Sequence, residues 1–379
     1  MTGSSGGDGA ADVVVNMLWC VPGGVGGSEE YLVRQLLGLS VAAQHGARHW
    51  SMRVAAARGL AAAHADLASR MPMVEPPFAS DSRVRRILGE ATWLRRLAAG
   101  AALVHHGGGT APSGPGSDAV PYVLTVHDLQ FRTYPHYFSA VKRAYLGAVL
   151  PRSARRARVV AVPSEYVRRS VIEAYGIDER RVMVVPHGID AAERAEVTPE
   201  AVLRARYSLG DGPVVVYPAV THPHKNHAFV LELMRTHWRD PDLRLVLTGG
   251  RGASHAVVDL CDDPRVRHLG RVPAADRNGL VAMSRALVFP SEYEGFGAPL
   301  IEAMTLGAPV VCSDRTCMPD VVGDAGVVLP LSVDAWAGAL DEVDRRRAPL
   351  VAAGHRRAEQ FTSVESGRAL SAVYERALS

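Results

Sequence analysis

Short, continuously apolar segments recur along this 379-residue chain, and each is followed by a turn and a helix-like segment. Runs of this length are typical of strands that a parallel sheet buries on both faces. The sequence predicts strands at residues 13–19, 101–105, 122–126, 159–162, 181–185, 214–217, 243–247, 266–269, 286–289 and 309–312. It predicts helices at residues 82–97 and 368–378, from Lys225 and from Ala298. It also predicts a helix from Glu29, capped by Ser28, and one capped by Ser164. Residues 45–80 show no decisive period.

A polar stretch at residues 190–212 interrupts this alternation, which then starts again. Two successive β/α series predict two doubly wound domains, and the chain is long enough for both. We place the first domain at residues 13–190 and the second at 191–360, with a last segment at 361–379. In open sheets of this kind, ligands bind at the carboxyl ends of the strands.

The composition excludes several protein classes. Apolar residues make up 47% of the chain and charged residues 21%, as in ordinary soluble domains. No apolar run approaches the roughly 18 residues that span a bilayer. The Gly/Ser-rich residues 1–12 lack the features of a signal peptide and predict a disordered tail. The four cysteines have no metal-site spacing, so we expect buried, reduced thiols in a cytoplasmic protein.

The charge is distributed unevenly. Residues 1–190 hold 21 Lys and Arg against 15 Asp and Glu, whereas residues 191–379 hold 21 against 24. The basic excess gathers at residues 83–96 and 142–158. A solvated face is the plainer interpretation; the sharper one is a docking surface for anionic lipid, at the inner face of the cell membrane, or for a polyanionic acceptor. Nucleic acid is not expected, because no aromatic residues interleave with the arginines.

The most informative segment is Pro-Ser-Glu-Tyr-Glu-Gly-Phe-Gly-Ala-Pro-Leu-Ile-Glu-Ala-Met at residues 290–304, between a buried strand and a helix. Its glycines allow a close backbone approach, and a helix N-terminus suits a diphosphate. Glu294 then lies in the loop and Glu302 about one turn into the helix. Spacing alone favours a turn residue and an exposed helix residue.

Glu294 and Glu302 fit the Glu-x7-Glu signature of family 4 glycosyltransferases of GT-B fold, which the chain resembles. Similar segments are Val-Pro-Ser-Glu-Tyr at 162–166, Val-Val-Pro-His-Gly-Ile-Asp at 184–190 and the blocks at 308–313 and 319–326. The resemblance covers nearly the whole chain and is weakest between residues 40 and 120. It implies two Rossmann-like domains facing across a cleft, an acceptor-side first domain, a nucleotide-sugar-binding second domain and a last helix that crosses back to the first.

The resemblance also implies roles for individual residues. Glu294 contacts donor-sugar hydroxyls, Glu302 contacts the ribose, and Lys225 binds phosphate. His127, which follows a predicted strand, lies beside the reacting sugar carbon; the plainer reading is a buried histidine held by its neighbour. The amides of Gly295, Phe296, Gly297, Ala298, Pro299 and Leu300 hold the sugar and the diphosphate. The other donor-binding residues are Gly24, Gly26, Gly27, Asp128, His222, His224, Gly249, Gly250, Arg251 and Val272.

One position departs from the family pattern. The family places an Arg five or six residues before the phosphate-binding Lys, where this chain has Val220 and Ala219. His222 or His224 can substitute, which makes phosphate neutralisation partly pH-dependent, or Arg251 can reach in from the loop after residues 248–250. The sequence leaves these alternatives open.

Asp-Pro-Asp at residues 240–242 resembles the Asp-x-Asp metal motif of another glycosyltransferase fold. It precedes a strand instead of following one, so we interpret it as a turn and expect neither a catalytic metal nor another cofactor. Lys225, the helix dipole and backbone N–H groups then balance the diphosphate charge.

The resemblance implies a retaining hexosyltransferase with a nucleotide-sugar donor and a hydroxyl acceptor on a glycan, glycolipid or small molecule. The block at residues 125–139 is similar to mannosyl- and rhamnosyl-adding members, which makes GDP-mannose the expected donor and UDP- or dTDP-sugars the alternatives. The rival hypotheses are a nucleotide-sugar epimerase or phosphorylase of related fold and a silent binding subunit. A dehydrogenase lacks support, because no acidic ribose ligand follows the glycine loop at a convincing strand end.

Overall fold

The computed structural model describes residues 11–22, 27–79, 81–112, 119–190 and 196–379. The chain divides into two compact units, residues 1–188 with 363–379 and residues 189–362. Each unit contains one parallel sheet with helices, so the predicted α/β class with two doubly wound sheets is confirmed. The expected disordered tail falls almost entirely outside the described residues.

The first unit is built on a seven-stranded parallel sheet of order β3-β2-β1-β4-β5-β6-β7. Its strands are β1 Asp12–Met17, β2 Ser51–Ala56, β3 Met73–Val74, β4 Leu103–His106, β5 Tyr122–Thr125, β6 Val159–Val162 and β7 Val182–Val184. The strand order reverses between β1 and β4, where Asn16 pairs in register with His106. That reversal marks the point at which doubly wound sheets bind ligands.

Nine helices lie in the described part of the first unit. They are α1 Gly27–Gln44, α2 Leu60–Ala63, α3 Ala65–Arg70, α4 Arg83–Gly89, α5 Arg95–Leu97, α6 Gln130–Thr133, α7 Ala140–Arg156, α8 Glu165–Tyr175 and, at the end of the chain, α18 Ser363–Leu378. A π-helical turn at Glu90–Leu94 joins α4 to α5, so residues 83–97 form the continuous helical segment that the sequence predicted. Ser164 caps α8 as predicted, its Oγ accepting from the N–H of Val167 at 3.3 Å.

Two apolar cores cover the faces of the first sheet. One contains side chains of β1, α1 and α18, including the fully buried Leu370, Val373 and Tyr374. The other contains Val14, Leu94, Ala98 and Val104 together with side chains of β5, β6 and α8. The last helix, α18, therefore completes a core whose other buried members all lie between Val13 and Val185.

The second unit is built on a six-stranded parallel sheet of order β10-β9-β8-β11-β12-β13. Its strands are β8 Val214–Pro218, β9 Arg244–Thr248, β10 Val266–Gly270, β11 Ala286–Phe289, β12 Val310–Ser313 and β13 Val327–Leu329. Its helices are α9 Glu200–Tyr207, α10 His227–Thr236, α11 Ala256–Asp259, α12 Ala274–Ala282, α13 Ala298–Thr305, α14 Met318–Val322, α15 Val333–Trp336, α16 Ala339–Arg345 and α17 Arg347–Ala358. The order reverses between β8 and β11.

Several elements differ from the predictions. The sequence missed β2, β3 and β13, because Ala- and Arg-rich or very short segments carry no clear period. Helix α1 begins at Gly27, so Ser28 lies inside the helix instead of capping it. The helix expected from Lys225 begins at His227, after a 3₁₀ turn at Pro223–Lys225. Among the helices of the described residues, none combines the length and apolar character needed to cross a membrane.

Candidate active site

The second unit gathers the predicted donor-binding residues at the carboxyl edge of its sheet. Lys225 follows β8, Gly249 to Arg251 follow β9, Val272 follows β10, and Glu294 follows β11. Because parallel strands all end at the same edge, segments that are 21 to 69 residues apart in the chain come together there. The edge includes the reversal between β8 and β11, which is where open α/β sheets bind ligands.

The two residues nearest this reversal form an ion pair. Lys225 Nζ lies 2.5 Å from Glu294 Oε1, and their side chains retain only 18% and 12% of their exposure. Lys225 Nζ also lies 5.1 Å from the ring centroid of Phe289, the last residue of β11. A short, sheltered contact between full charges is among the stronger polar interactions in proteins. The pair therefore fixes the two predicted catalytic residues of this unit against each other.

Backbone hydrogen bonds hold the two loops that carry the pair. The N–H of Glu292 donates to the carbonyl of His224 at 2.8 Å, which joins the loop after β11 to the loop after β8. The hydroxyl of Tyr217 donates to the carbonyl of Lys225. Burial raises the pKa of Tyr217 well above its usual value, so the hydroxyl keeps its proton. Asn226 completes the tight turn with a left-handed backbone, at φ +56°.

A third loop, after β12, holds the backbone of Glu294 by hydrogen bonds. The N–H of Glu294 donates to Thr316 Oγ1 at 3.1 Å, and Cys317 Sγ donates to the carbonyl of Glu294 at 3.3 Å. Ser313 Oγ donates to the carbonyl of Ser291 at 2.6 Å. Thr316 adopts φ +55°, which is uncommon for a residue with a branched Cβ. Sequence reasoning missed these supports, since an isolated Thr, Cys or Ser gives no motif signal.

The glycine-rich segment leads into α13 as expected. Gly297 has φ +86°, and Pro299 stands in the first turn of the helix. Phe296 is buried against Phe361, with ring centroids 5.4 Å apart. Gly295, Phe296, Gly297 and Ala298 thus place their backbone at the helix N-terminus, where an anion is stabilised. Glu302 lies in α13, half-buried.

Two of the backbone amides predicted to hold the donor do not fit that role. Pro299 has no N–H group. The N–H of Leu300 donates to the carbonyl of Gly297 at 2.9 Å, as the first closed turn of the helix requires, and the side chain is fully buried. The prediction of an amide contact therefore fails for Pro299 and Leu300, and it stays a prediction for residues 295–298.

The structure reduces the number of residues that could replace the phosphate-binding arginine of the family pattern. Burial, with the neighbouring Lys225 and His222 charges, lowers the pKa of His224 to about 3, so its ring is neutral at physiological pH. Arg251 pairs with Asp259 at 2.8 Å on the exposed side of its loop. The rings of His222 and His224 lie 5.8 Å apart and nearly parallel. The structure therefore does not support neutralisation of a phosphate by His224 or a contact between Arg251 and the phosphate. His222 remains a predicted donor ligand.

The loop after β9 is shaped by close backbone approaches. Gly249 has φ +127°, and a Cβ there would stand 2.5 Å from the carbonyl oxygen of Ala219. A Cβ on Gly250 would stand 3.3 Å from Nε of Arg271. Arg271 follows β10 directly and precedes Val272 at the same edge. Sequence reasoning did not single out this arginine, although its place after a strand end was a usable signal.

In the first unit, His127 follows β5 and is partly buried. Its Nε2 donates to the carbonyl of Gly107 at 2.8 Å, and its ring contacts those of Trp19 and Tyr31 at centroid distances of 5.7 and 5.5 Å. Burial lowers the pKa of His127, so the ring is neutral and Nδ1 carries a lone pair. The histidine is thus fixed by a carbonyl, not by its neighbour Asp128.

Asp128 has a structural role of its own. It is exposed, and its Oδ1 accepts from the N–H of Gln130 at 2.8 Å at the start of α6. Gly27, the last residue of the predicted glycine loop, opens α1. Gly24 and Gly26 lie outside the described residues. Donor contacts by these four residues remain predictions.

Further histidines surround His127 that sequence reasoning missed. His105 and His187 lie close enough to His127 that its charge contributes to lowering the pKa of each, and the ring of Tyr31 contacts that of His187 at a centroid distance of 4.3 Å. Burial lowers the pKa of His105 to about 3 and that of His187 well below its usual value. Tyr31 therefore contacts both His127 and His187, whereas the ring of His105 is hydrogen-bonded to Tyr374 and Thr125.

The remaining sequence interpretations concern metal and thiol chemistry. Asp242 donates its N–H to Asp240 Oδ1 at 2.9 Å in a turn at the amino end of β9, as predicted. No group of three or more potential metal-ligating side chains occurs among the residues that the structure describes. The four cysteines are free; Cys20, Cys312 and Cys317 are buried, but Cys261 is half-exposed, contrary to expectation. Burial raises the pKa of Cys312 to about 12.

Family models match both units. The model for Glycosyltransferase Family 4 matches residues 25–193, and that for Glycosyl transferases group 1 matches residues 212–344. The chain therefore carries two glycosyltransferase domains, one of each kind. All the predicted site residues except Gly24 lie within one of these two segments, and Glu294 and Glu302 lie in the second.

Named relatives of this glycosyltransferase include two O-antigen enzymes. O-antigen chain mannosyltransferase B of Escherichia coli is 33% identical over 63% of this chain and 66% of its own length. O-antigen chain mannosyltransferase RfbU of Salmonella typhimurium is 28% identical over 59% of this chain and 60% of its own length. The alignment thus spans just under two thirds of the length of each of these relatives.

Solved structures share the fold of this glycosyltransferase at low sequence identity. Anabaena HepE, in complex with UDP and glucose, has a TM-score of 0.73 and 16% identity, over 97% of this chain and 99% of HepE. WaaG, a glycosyltransferase of lipopolysaccharide biosynthesis, has a TM-score of 0.67 and 16% identity, over 94% and 97%. The two sheets described above are therefore those of the GT-B fold.

Proposed function

We propose that this chain transfers a hexose from a nucleotide-sugar to a hydroxyl acceptor with retention of configuration, and that the donor is GDP-mannose. The observation that carries the proposal is the Lys225–Glu294 pair at the strand-order reversal of the second unit, beside the N-terminus of α13. A cation and a helix N-terminus suit a diphosphate, and a carboxylate suits sugar hydroxyls. The two glycosyltransferase domains support the same reaction class.

The chemistry follows from what these groups can stabilise. Departure of the nucleoside diphosphate places negative charge on phosphate oxygens, which Lys225 and the amides of residues 295–298 are suited to balance without a metal. In front-face substitution, the departing phosphate accepts the proton of the acceptor hydroxyl. The protein then contributes positioning and leaving-group stabilisation instead of a covalent nucleophile. His127, neutral with a free Nδ1 lone pair, is proposed as a contact of the reacting sugar.

The choice of mannose rests on relatives. The two O-antigen proteins are named mannosyltransferases, and a phosphatidyl-myo-inositol mannosyltransferase of Mycolicibacterium smegmatis is 30% identical over 67% of this chain and 65% of its own length. The UDP in HepE makes UDP-sugars the principal alternative. By analogy the acceptor is a glycan or glycolipid hydroxyl.

A turnover assay tests the donor and the reaction class together. GDP-mannose, UDP-glucose and dTDP-rhamnose are each incubated with the protein, with and without a mannosylated acceptor. We expect GDP release that depends on acceptor and on GDP-mannose. Isomerised sugar without acceptor would indicate an epimerase, and phosphate-dependent release of sugar phosphate would indicate a phosphorylase. Tighter binding of a UDP-sugar than of GDP-mannose in calorimetry would refute the donor.

We also propose peripheral contact with an anionic membrane through the first unit. Val84 and Leu88 of α4 and Val141 of α7 are 67%, 60% and 77% exposed. Arg83 and Lys142 lie close enough that the arginine charge, after burial, contributes to lowering the pKa of Lys142. These five residues form a mixed basic and apolar surface, which we call the α4–α7 surface. Such a composition favours anionic headgroups above an apolar layer.

Vesicle sedimentation tests this contact. We expect binding to vesicles containing phosphatidylglycerol and little binding to pure phosphatidylcholine. The double variant Val84→Ser/Leu88→Ser and the variant Arg83→Glu should each weaken binding at least about fivefold. Leu260→Ser is the matched control, because Leu260 is 84% exposed but lies in the second unit. Equal binding of all variants would refute the surface.

A further inference from the structure

A cavity of about 320 Å³ lies in the first unit, between the helical segment 83–97 and the face of β4. Leu94, Ala98, Val104 and Val120 form much of its wall. The cavity extends to Gly100, which precedes β4, so it reaches the amino edge of the sheet. The cavity also reaches His106, the last residue of β4, at the strand-order reversal of the first sheet. It is separate from the candidate donor site, which lies in the second unit.

The polar end of the cavity is organised by Asn16. Its Nδ2 donates to Glu90 Oε1 at 3.2 Å and contacts His106 Nδ1 at 3.3 Å. Its Oδ1 accepts from the N–H of Leu18 at 3.1 Å, which fixes the orientation of the amide. Because Nδ2 can only donate, Nδ1 of His106 is the acceptor, and the ring proton is on Nε2. One side chain thus sets the orientation of both groups.

Glu90 and His106 retain unused hydrogen-bonding capacity. Glu90 is 8% exposed and His106 is 6% exposed, and both line the cavity. Within the part of the chain that the structure describes, neither Glu90 Oε2 nor His106 Nε2 has a hydrogen-bond partner. Arg86 Nε, at 3.9 Å from Glu90 Oε1, is too far to form one. Buried polar groups are almost always satisfied by protein, water or ligand.

Burial disfavours charge on both Glu90 and His106, so the polar end of the cavity suits an uncharged ligand. Burial raises the pKa of Glu90, against the opposing effects of the Asn16 hydrogen bond and the Arg86 charge. Burial lowers the pKa of His106 to about 4. A neutral imidazole offers a donor at Nε2, and a carboxyl group can exchange hydrogen bonds with a hydroxyl. Arg95 contributes to the cavity wall but is exposed to solvent.

We propose that this cavity binds a small uncharged molecule with an apolar body and a single hydroxyl group, which accepts from His106 Nε2 and bonds to the Glu90 carboxyl. The volume of the cavity limits the size of the ligand. A dry cavity of about 150 Å³ holds benzene, so one of 320 Å³ holds roughly twice as many non-hydrogen atoms. Alkylphenols and cyclic alcohols have the required size and polarity.

Two matched probes test the proposal by ligand-observed NMR and calorimetry on the full chain. 4-Ethylphenol and 4-ethyltoluene have nearly the same shape, but only the first carries a hydroxyl group. We expect saturable binding of 4-ethylphenol that is at least about fivefold tighter than binding of 4-ethyltoluene. No saturable binding, equal binding of the two probes, or tighter binding of the anion 4-ethylbenzoate would each overturn the proposal.

Variants locate the binding. His106→Phe removes the Nε2 donor and should abolish the preference for 4-ethylphenol. Ala98→Leu fills the cavity from its wall and should weaken both probes at least tenfold while leaving the melting temperature unchanged or higher. Ala91→Leu is the matched control, since Ala91 belongs to the same helical segment but does not line the cavity. Undiminished binding to a folded Ala98→Leu protein would place the probes elsewhere and refute the assignment.

Discussion

Lys225 Nζ contacts Glu294 Oε1 at 2.5 Å, so the predicted phosphate ligand and the predicted sugar ligand are bonded to each other. Both side chains are largely buried, and both loops are tied together by the Glu292–His224 backbone bond. In the proposed function, a donor diphosphate takes Glu294's place beside Lys225, and Glu294 turns its oxygens to sugar hydroxyls. In the proposed function, the ion pair therefore keeps two largely buried charges compensated until the donor binds.

The two glutamates of the signature should have different kinetic roles. Glu294→Gln keeps the volume but removes the charge, so we expect kcat to fall by about 10²-fold if its bonds tighten in the transition state. Glu302→Gln removes contacts that do not change during reaction, so it should mainly raise the donor KM, by about 1.5–3 kcal/mol in binding. Steady-state kinetics of both variants, with folding checked by circular dichroism, measure this. Wild-type kinetics in both would show that the signature match is coincidental.

Lys225 should contribute to binding of the donor's phosphate groups and not to binding of its nucleobase. Lys225→Met removes the charge but keeps an unbranched chain against Phe289. We expect the Kd for GDP to rise at least about tenfold while the Kd for guanosine stays within about twofold, because a charge-assisted bond contributes over 1 kcal/mol. Calorimetry with the two ligands gives the comparison. A parallel loss for guanosine would mean that the substitution disturbs the fold of the loop.

Buried histidines should make the protein sensitive to acid. Burial lowers the pKa of His227 from 6.5 to about 4, and its ring stacks on Tyr217 at 4.7 Å. Above pH 6.5 the ring is neutral in both the folded and the unfolded state. Between pH 6.5 and 4 the ring is protonated in the unfolded chain but stays neutral in the folded one. Stability is therefore complete above pH 6.5 and is lost as the pH falls toward 4, by on the order of 1 kcal/mol per unit.

The variant His227→Phe keeps the stacked ring but removes the titration. Its unfolding free energy should fall less steeply than that of the wild type between pH 6.5 and 4.5, whatever its value at pH 7. His45→Gln, at an exposed position, is the control and should follow the wild type. Urea unfolding across this pH range gives the slopes. Identical slopes for His227→Phe and wild type would contradict the assignment.

Deletion of residues 361–379 should destabilise the first unit. Helix α18 contributes Leu370, Val373 and Tyr374 to its core, each contributing about 2 kcal/mol. The deletion also removes the hydrogen bond between Trp50 Nε1 and Ser371 Oγ at 2.9 Å. We expect a lower melting temperature, loss of activity and proteolysis within residues 27–188. An active truncated protein with an unchanged melting temperature would exclude this role.

A point variant tests the same packing without deletion. A Cβ on Gly38 of α1 would lie 1.7 Å from the carbonyl oxygen of Ser363, so Gly38→Ala should lower the melting temperature markedly. Gly147→Ala in α7 is the control, because nothing lies within 4 Å of its Cβ position.

Activity should survive removal of divalent cations. Asp240 and Asp242 form a turn at the amino end of β9, away from the edge that carries Lys225 and Glu294. Turnover in excess EDTA should equal turnover with Mg²⁺, and Asp240→Asn/Asp242→Asn should retain wild-type kcat. Turnover that EDTA abolishes and Mg²⁺ or Mn²⁺ restores would refute a metal-independent reaction.

The sequence by itself determined the fold class and the positions of most strands. Buried parallel strands such as β6 and β11 are continuous apolar runs, so the local pattern specifies them fully. The signature glutamates and the turn at Asp240 were likewise readable, because each depends on residues close together in the chain. The short strands β3 and β13 were not, since two or three residues carry no period.

Only the tertiary structure decided which groups meet. Lys225 and Glu294 are 69 residues apart, and Asn16, Glu90 and His106 come from three separate elements. Their contacts depend on strand order and on the edge at which each strand ends, which no local pattern encodes. The neutral state of His224 also depends on the tertiary structure, because its burial in the fold lowers its pKa. The N–H of Leu300 is likewise engaged in a hydrogen bond to Gly297 at the start of its helix.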